Sequence, residues 1–315
     1  MQLYNKLSAS EQSLLLEESG KQRIVLSFYK YFFIGNSKIF RNYLFSKFQK
    51  IQILGRIYVA NEGINAQISL PLENLPFLRH ELDEITFLKD VRLNYAVQSN
   101  NKSFLKLTIK VRKKIVADGL KEGELDLTKK GTYVNADYFN KLLEEENTIC
   151  VDMRNHYESE VGHFKNAITP DVDTFRESLP LIEKKLSKYK KDKNVLLYCT
   201  GGIRCEKASS YFKKKGFLNV FQLEGGIIEY KRQTKKMKLE NKFQGMNFVF
   251  DERKGERISY GVISNCHLCN TSCDTHVNCV NPACNLLFIQ CNNCRETFQG
   301  CCSSECQKVM NLPFE

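Results

Sequence analysis

The chain has 315 residues, 42% hydrophobic and 26% charged, with 47 Lys and Arg against 36 Asp and Glu for a net charge of +11. That length and apolar content suit two or three ordinary domains and exclude wholesale disorder or a fibrous repeat. No stretch reaches the roughly 18 uninterrupted apolar residues of a membrane span. The opening MQLYNKLSASEQ also lacks the basic-then-apolar order of a signal peptide, so a cytoplasmic protein without membrane attachment is expected.

Residues 1–21 read as a polar leader. From Arg23, RIVLSFYKYFFI is β-branched and aromatic and stops at Gly35-Asn36-Ser37, which predicts a strand and a turn. Ile39, Phe40, Tyr43, Leu44 and Phe48 then recur at helical spacing behind Ser37, a candidate cap. GRIYVA and INAQISL predict a hairpin about Asn61-Glu62-Gly63, LENLPFLRHELDEI a second helix, and VRLNYAV and FLKLTIKV the closing strands. The predicted order over 22–117 begins βαββαβ, a ferredoxin-like antiparallel sheet with helices on one face; the fold hosts many functions and implies none.

A polar linker with three glycines occupies 118–132. Over 133–238, the apolar strands TICVDM, NVLLYC and VFQLEGG alternate with the helical segments DTFRESLPLIEKKLSKY and RCEKASSYFKKKG, predicting a parallel α/β domain. The remainder, 239–315, is a basic connector followed by a cysteine-rich segment.

Cysteine use separates these regions. Ten of the 13 cysteines fall between Cys266 and Cys306, leaving Cys150, Cys199 and Cys205 upstream. In a reducing compartment the dense group predicts metal ligation, and the isolated ones predict core residues or nucleophiles. LLYCTGGIRCEKASSYF ends a buried-looking strand at Cys199, turns through Thr200, Gly201, Gly202 and Ile203, and enters a helix at Arg204. A turn at the end of a parallel strand aims backbone N–H groups and a helix N-terminus inward, where they stabilise an anion. A free thiol has a pKa of about 8.5, and this setting lowers it, so Cys199 is the predicted nucleophile and Arg204 its fixed positive charge. Cys205 either resolves an oxidised Cys199 or only packs.

Four residues separate Cys199 from Arg204, and this C-x4-R loop resembles the rhodanese family, which carries sulfur as a cysteine persulfide. CVDMRNHYESEVGHFKNAI resembles that family's D-x-R-x-x-x-E and G-H-x-x-x-A motifs through Asp152, Arg154, Glu158, Gly162, His163 and Ala167, and LEGGIIEY resembles its closing GG motif. The resemblance implies support of the loop by Asp152 and Arg154 and a structural His163. GRIYVANEGINAQIS, FLKLTIKVRKKIVADG, YCTGGIRCEKAS and CDTHVNCVNPACNLLFIQCNNC, in that order, are similar to the bacterial tRNA uridine(34) hydroxylase family from about residue 22 to 308. That resemblance implies formation of 5-hydroxyuridine at the wobble position in the tRNA anticodon loop, with molecular oxygen as co-substrate and dependence on the rhodanese cysteine. The alternative is a thiosulfate-type sulfurtransferase working through a Cys199 persulfide. No dinucleotide glycine fingerprint or two-His-one-carboxylate arrangement stands out to activate oxygen.

Splayed loop bases stack on aromatic or arginine side chains while phosphates meet Lys and Arg. Arg56, Asn61, Asn65, Lys110, Arg112, Lys113, Lys231 and Arg232 are the candidate contacts, against the alternative that each basic run is a solvated face. In the tail, Cys266-x2-Cys269 and Cys291-x2-Cys294 have zinc-knuckle spacing, with Cys273, Cys279, Cys284, Cys301, Cys302 and Cys306 as further candidate ligands. Two four-cysteine Zn²⁺ sites would leave two thiols over; an iron–sulfur cluster is the competing reading.

Overall fold

The computed structural model describes Leu3, Asn5 and residues 7–312, and divides into one unit of residues up to 119 with 251–253, and another of residues 120–250 with those from 254 onward. In the first unit the expected leader contains a helix, α1 (Ala9–Glu18). Ser8 Oγ accepts from the Glu11 N–H at 3.2 Å, and the Glu11 carboxylate accepts from the Ser8 N–H at 2.7 Å. This reciprocal cap satisfies two otherwise orphaned donors and starts a helix within a polar segment.

Beyond it lie β1 (Arg23–Tyr31), α2 (Ser37–Lys50), β2 (Leu54–Ala60), β3 (Gly63–Pro71), α3 (Leu75–Asp83), β4 (Asn94–Tyr95) and β5 (Leu107–Val111). The cap of α2 is Asn36 rather than Ser37: Asn36 Oδ1 accepts from the Ile39 N–H at 3.0 Å, and Ser37 is already helical and buried. The sheet order is β4-β1-β3-β2-β5. Its first four strands have the ferredoxin-like arrangement, but β5 runs parallel to β2, so the sheet is mixed rather than antiparallel throughout. VRLNYAV contributes only two ladder residues, because Val91 and Leu93 enter the core from irregular backbone. Leu44, Phe45 and Phe48 of α2 and Leu78 and Leu82 of α3 close over Leu26, Phe28, Ile57, Val59 and Ile68. Truncating a ring such as Phe48 there costs about 3–5 kcal/mol.

The second unit begins with β6 (Thr132–Val134), α4 (Ala136–Glu144), β7 (Thr148–Asp152), α5 (His156–Glu160) and β8 (Gly162–Phe164). It continues through α6 (Phe175–Leu186), β9 (Asn194–Tyr198), α7 (Ile203–Lys214), β10 (Asn219–Leu223) and α8 (Gly226–Met237). The order β6-β10-β9-β7 is parallel throughout, with β9 at the centre carrying Val195–Tyr198 fully buried. A strand buried on both faces reads as a continuous apolar run, as NVLLYC does.

The cysteine-rich segment belongs to the same unit. β11 (Phe243–Asn247) pairs with β8 and with β12 (Glu256–Arg257), and beyond them come the hairpin β13 (His276–Asn278) and β14 (Leu287–Ile289), then α9 (Asn292–Thr297) and α10 (Ser304–Met310). Val161, Phe248 and Ile289 form a buried cluster with Tyr157, Met246 and Cys273 against it, and His267 Nε2 lies 2.7 Å from Glu160 Oε1. The segment therefore packs on α5 and β8. Among the described residues no helix is long and apolar enough to cross a membrane.

Candidate active site

Cys199 follows the last residue of β9 and is completely buried, while Thr200, Gly201 and Ile203 of the loop are half-buried around it. Gly202 donates its N–H to Cys199 Sγ, 3.2 Å away, and takes the left-handed φ of 98° from which the chain enters α7. Gly201 needs no such conformation, so of the two loop glycines Gly202 carries the turn. The loop is held from below by α8, whose Ile227 and Ile228 N–H groups donate to the Cys199 and Thr200 carbonyls at 3.0 and 3.3 Å. That approach requires Gly226: a Cβ there would lie 2.5 Å from both carbonyl oxygens, and its φ is 65°. The GG motif thus shapes the loop without contributing a reactive group.

The charge around Cys199 is layered. Arg204 donates to both carboxylate oxygens of Glu158, at 2.5 and 2.8 Å, and approaches Thr200 Oγ1 at 3.4 Å. Behind them, Arg154 donates to Asp152 from Nε and Nη2 at 3.0 and 2.7 Å and to the Glu158 and Gly162 carbonyls. Arg154 has no solvent exposure, and its guanidinium lies 5.7 Å from the ring centres of both Tyr198 and Phe243. Buried charges persist only when paired and hydrogen-bonded, as these are. Burial opposes ionisation of Glu158, but Arg204 outweighs it and holds the carboxyl below its usual range.

Burial likewise opposes a Cys199 thiolate. A hydrogen bond from the Cys205 thiol, the Arg204 charge and the backbone N–H groups of Cys205 and Arg204 outweigh it and bring the Cys199 pKa down to about 6. Cys205 moves the other way, pushed well above the ordinary thiol range by burial and by its bond to Cys199. The two cysteines are therefore unequal, one an anion at neutral pH and the other a neutral donor. A desolvated thiolate backed by a helix N-terminus is a strong nucleophile, and the same N–H cradle suits a terminal persulfide sulfur. His163 is not aimed at this loop; its Nδ1 lies 2.8 Å from the Ser159 carbonyl.

The C-terminal thiols form two sets. Cys266, Cys269, Cys291 and Cys294 have their Sγ atoms mutually within 4.8 Å, as do Cys279, Cys284, Cys302 and Cys306. Sulfur separations of 3.6 Å for Cys269–Cys291, 3.6 Å for Cys284–Cys302 and 3.7 Å for Cys302–Cys306 are far beyond a disulfide. They approach the roughly 3.8 Å edge of a tetrahedron with zinc–sulfur bonds of about 2.3 Å. Each set can bind a metal ion. Cys273 and Cys301, two of the ten predicted ligands, are in neither set: Cys273 packs against the Val161–Phe248–Ile289 cluster, and Cys301 is buried with Cys279 and Phe288.

Family models match in the same order as these parts: the UPF0176 acylphosphatase like domain over residues 23–115, the rhodanese-like domain over 135–233 and the rhodanase C-terminal model over 244–307. A tRNA uridine(34) hydroxylase of Leptospira interrogans is 51% identical over 300 residues, spanning 95% of this chain and 82% of that one. The chain belongs to the tRNA uridine(34) hydroxylase family. Relatives of the same name from Photorhabdus laumondii and Yersinia enterocolitica are each 50% identical, span 99% of this chain, and are themselves covered to 88% and 89%.

Glu158, expected only as the end of the D-x-R-x-x-x-E motif, is the carboxylate that pairs Arg204. The signal was available: an Arg entering a buried helix needs an acid. Of the candidate RNA contacts, Arg56, Asn65 and Lys110 lie on β2, β3 and β5, with Arg112 and Lys113 exposed just beyond β5. Asn61 sits in the hairpin turn, where its carbonyl accepts from the Ile34 N–H at 2.8 Å and its side chain from Ser37 Oγ at 3.3 Å. Lys231 donates to the Ile258 carbonyl at 2.6 Å, and Arg232 pairs with Glu229 at 2.9 Å, so these two candidate contacts on α8 are engaged within their own unit.

Proposed function

We propose that this protein hydroxylates the wobble uridine of cytoplasmic tRNA to 5-hydroxyuridine, with molecular oxygen as oxidant and Cys199 as the essential nucleophile. The observation that carries this reading is the Cys199 thiolate, held by the Gly202 N–H and the Glu158-paired Arg204 in a family member about 50% identical to its relatives over nearly all its length. Addition of the thiolate to C6 of uracil makes C5 an enolate-type carbon able to attack electrophilic oxygen. Loss of the C5 proton and expulsion of the thiolate restore the ring. One oxygen atom enters the base; the other leaves as water, taking two protons and two electrons from a cellular thiol-type reductant. Arg204 and the loop N–H groups keep the departing sulfur anionic, which favours both addition and release. The two C-terminal thiol sets hold Zn²⁺ and stabilise the segment that packs on α5, where Glu158 sits.

The test is incubation of the protein with unmodified tRNA under ¹⁸O₂ and a thiol reductant. Labelled 5-hydroxyuridine is the expected product, and formation of unlabelled product would remove oxygen gas as the source. The second reading is sulfur transfer, favoured by the same cradle and by the rhodanese-like match. It requires a Cys199 adduct of about 32 daltons, one sulfur atom, after thiosulfate treatment.

A further inference from the structure

The hydroxylase reading assigns no role to the face of the first unit's sheet that turns away from α2 and α3. Phe28, Ile57, Ala66 and Ile109 share the core face, and side chains alternate along a strand, so their immediate neighbours point the other way. The register places Tyr29 beside Asn65, Asn65 beside Tyr58 and Tyr58 beside Lys110, a single row across four strands. In the adjacent row Arg56 lies beside Gln67. Both tyrosines and both amides are half-buried, and Arg56 and Lys110 are exposed. Asn65 Nδ2 donates to the Ile115 carbonyl at 3.4 Å, the Tyr29 ring stands edge-on to Tyr31 with centres 6.1 Å apart, and the Arg112 guanidinium lies 5.8 Å from the centre of the Tyr58 ring.

This composition selects among partners. A face that docks an apolar helix would be aliphatic, and one that docks an acidic protein would need cations but no rings. Here two phenol rings stand two strands apart, about 10 Å, with amides between them and cations at the margin. Rings offer base-stacking surfaces, amides match base edges, and Arg and Lys neutralise phosphates, which is how unstacked single strands are held. We propose that this face binds the single-stranded loop of the RNA substrate, Tyr29 and Tyr58 each stacking a base while Arg56, Lys110 and Arg112 meet the intervening phosphates. The inference rests on the tRNA reading and adds to it where the loop is gripped.

The test is fluorescence anisotropy of a labelled anticodon stem–loop RNA with the full-length protein at several salt concentrations. Tyr58→Ala is expected to weaken binding about ten-fold, within the range for loss of one stacked base, and Tyr58→Phe to stay within about two-fold of wild type. Arg56→Ala with Lys110→Ala, both at exposed positions where folding is not at stake, is expected to weaken binding and to reduce the slope of log affinity against log salt by about 1.4. A duplex RNA without a loop is expected to bind wild type and Tyr58→Ala equally. Wild-type affinity in both the Tyr58→Ala and the double variant overturns the proposal. Cys199→Ser separates the two readings: it should retain loop binding. If wild type grips the loop through this face yet forms no 5-hydroxyuridine, the hydroxylase reading fails while the platform stands; if the face variants form product with an unchanged KM, the platform alone fails.

Discussion

The second unit uses cysteine in two opposite ways. At the end of β9, a single sulfur is kept anionic by backbone N–H groups, a neighbouring thiol and one paired guanidinium. In the C-terminal segment, eight sulfurs gather in fours, and the pairs interleave: the first and third pairs in the sequence form one set, the second and fourth the other. The first arrangement is set by contiguous sequence and depends on a packed core. The second brings together sulfurs far apart in the sequence, in a segment with little core, and each set of four can bind a metal ion. Cys199 stands apart because its charge is met by N–H groups and Arg204 rather than by three further sulfurs.

The largest expected effects separate these uses directly. Cys199→Ser should abolish modification while leaving the melting temperature within a few degrees and metal content unchanged. Cys294→Ser should do the reverse to the fold: because the sets interleave, losing one ligand should lower metal at both sites. Elemental analysis per chain checks this, and retention of two ions by Cys294→Ser would break the interleaved account.

Next in size is the buried ion pair. Glu158→Ala leaves Arg204 without its carboxylate and should cost about 3–5 kcal/mol in denaturant unfolding. The Asp152–Arg154 pair behind it has no such exposure to the loop, so its loss should lower stability without moving the reactivity of Cys199 as much.

The pH dependence sharpens the contrast further. Alkylation of Cys199 by iodoacetamide should have its midpoint at about pH 6 and fall about ten-fold per pH unit below it as the thiolate is protonated. Because the folded pKa is depressed below that of an unfolded thiol, Cys199 contributes stability above the unfolded value. That contribution is lost as pH falls toward 6. Cys205→Ala should raise the alkylation midpoint, since the thiol hydrogen bond that favours the anion is gone. The smallest effect is expected from Cys273→Ser, which lies in neither thiol set: metal content should be unchanged and stability should fall by roughly 1 kcal/mol.

Much of this was legible in the chain because it is local. The C-x4-R loop, the strand before it and the helix after it occupy one stretch, and the alternation of apolar strands with helical segments gives the parallel sheet. What escaped depends on long-range contact. Glu158 meets Arg204 across 46 positions, so the need of Arg204 for an acid is visible in the sequence while the identity of that acid is not. The thiol pairing could not be read because four closely spaced pairs allow several assignments, and long-range contacts such as the β13–β14 hairpin, His267 N–H to the Ile289 carbonyl and Val280 N–H to the Gly300 carbonyl bring the right pairs together. The same limit explains Cys273 and Cys301, which look like ligands by type and are placed by packing. The parallel β5 and the short β4 were likewise invisible, since strand direction and ladder length are set by neighbours rather than by apolar pattern. In the first domain, the Tyr29–Asn65–Tyr58–Lys110 row emerges only from the register.

Nucleoside mass spectrometry of total tRNA from cells carrying wild type, a deletion and Cys199→Ser tests the central claim most directly. Loss of 5-hydroxyuridine and its derivatives in both mutants is the predicted result. Persistence of 5-hydroxyuridine in both, with a fall in 2-thiouridine, would contradict it and assign Cys199 to sulfur transfer.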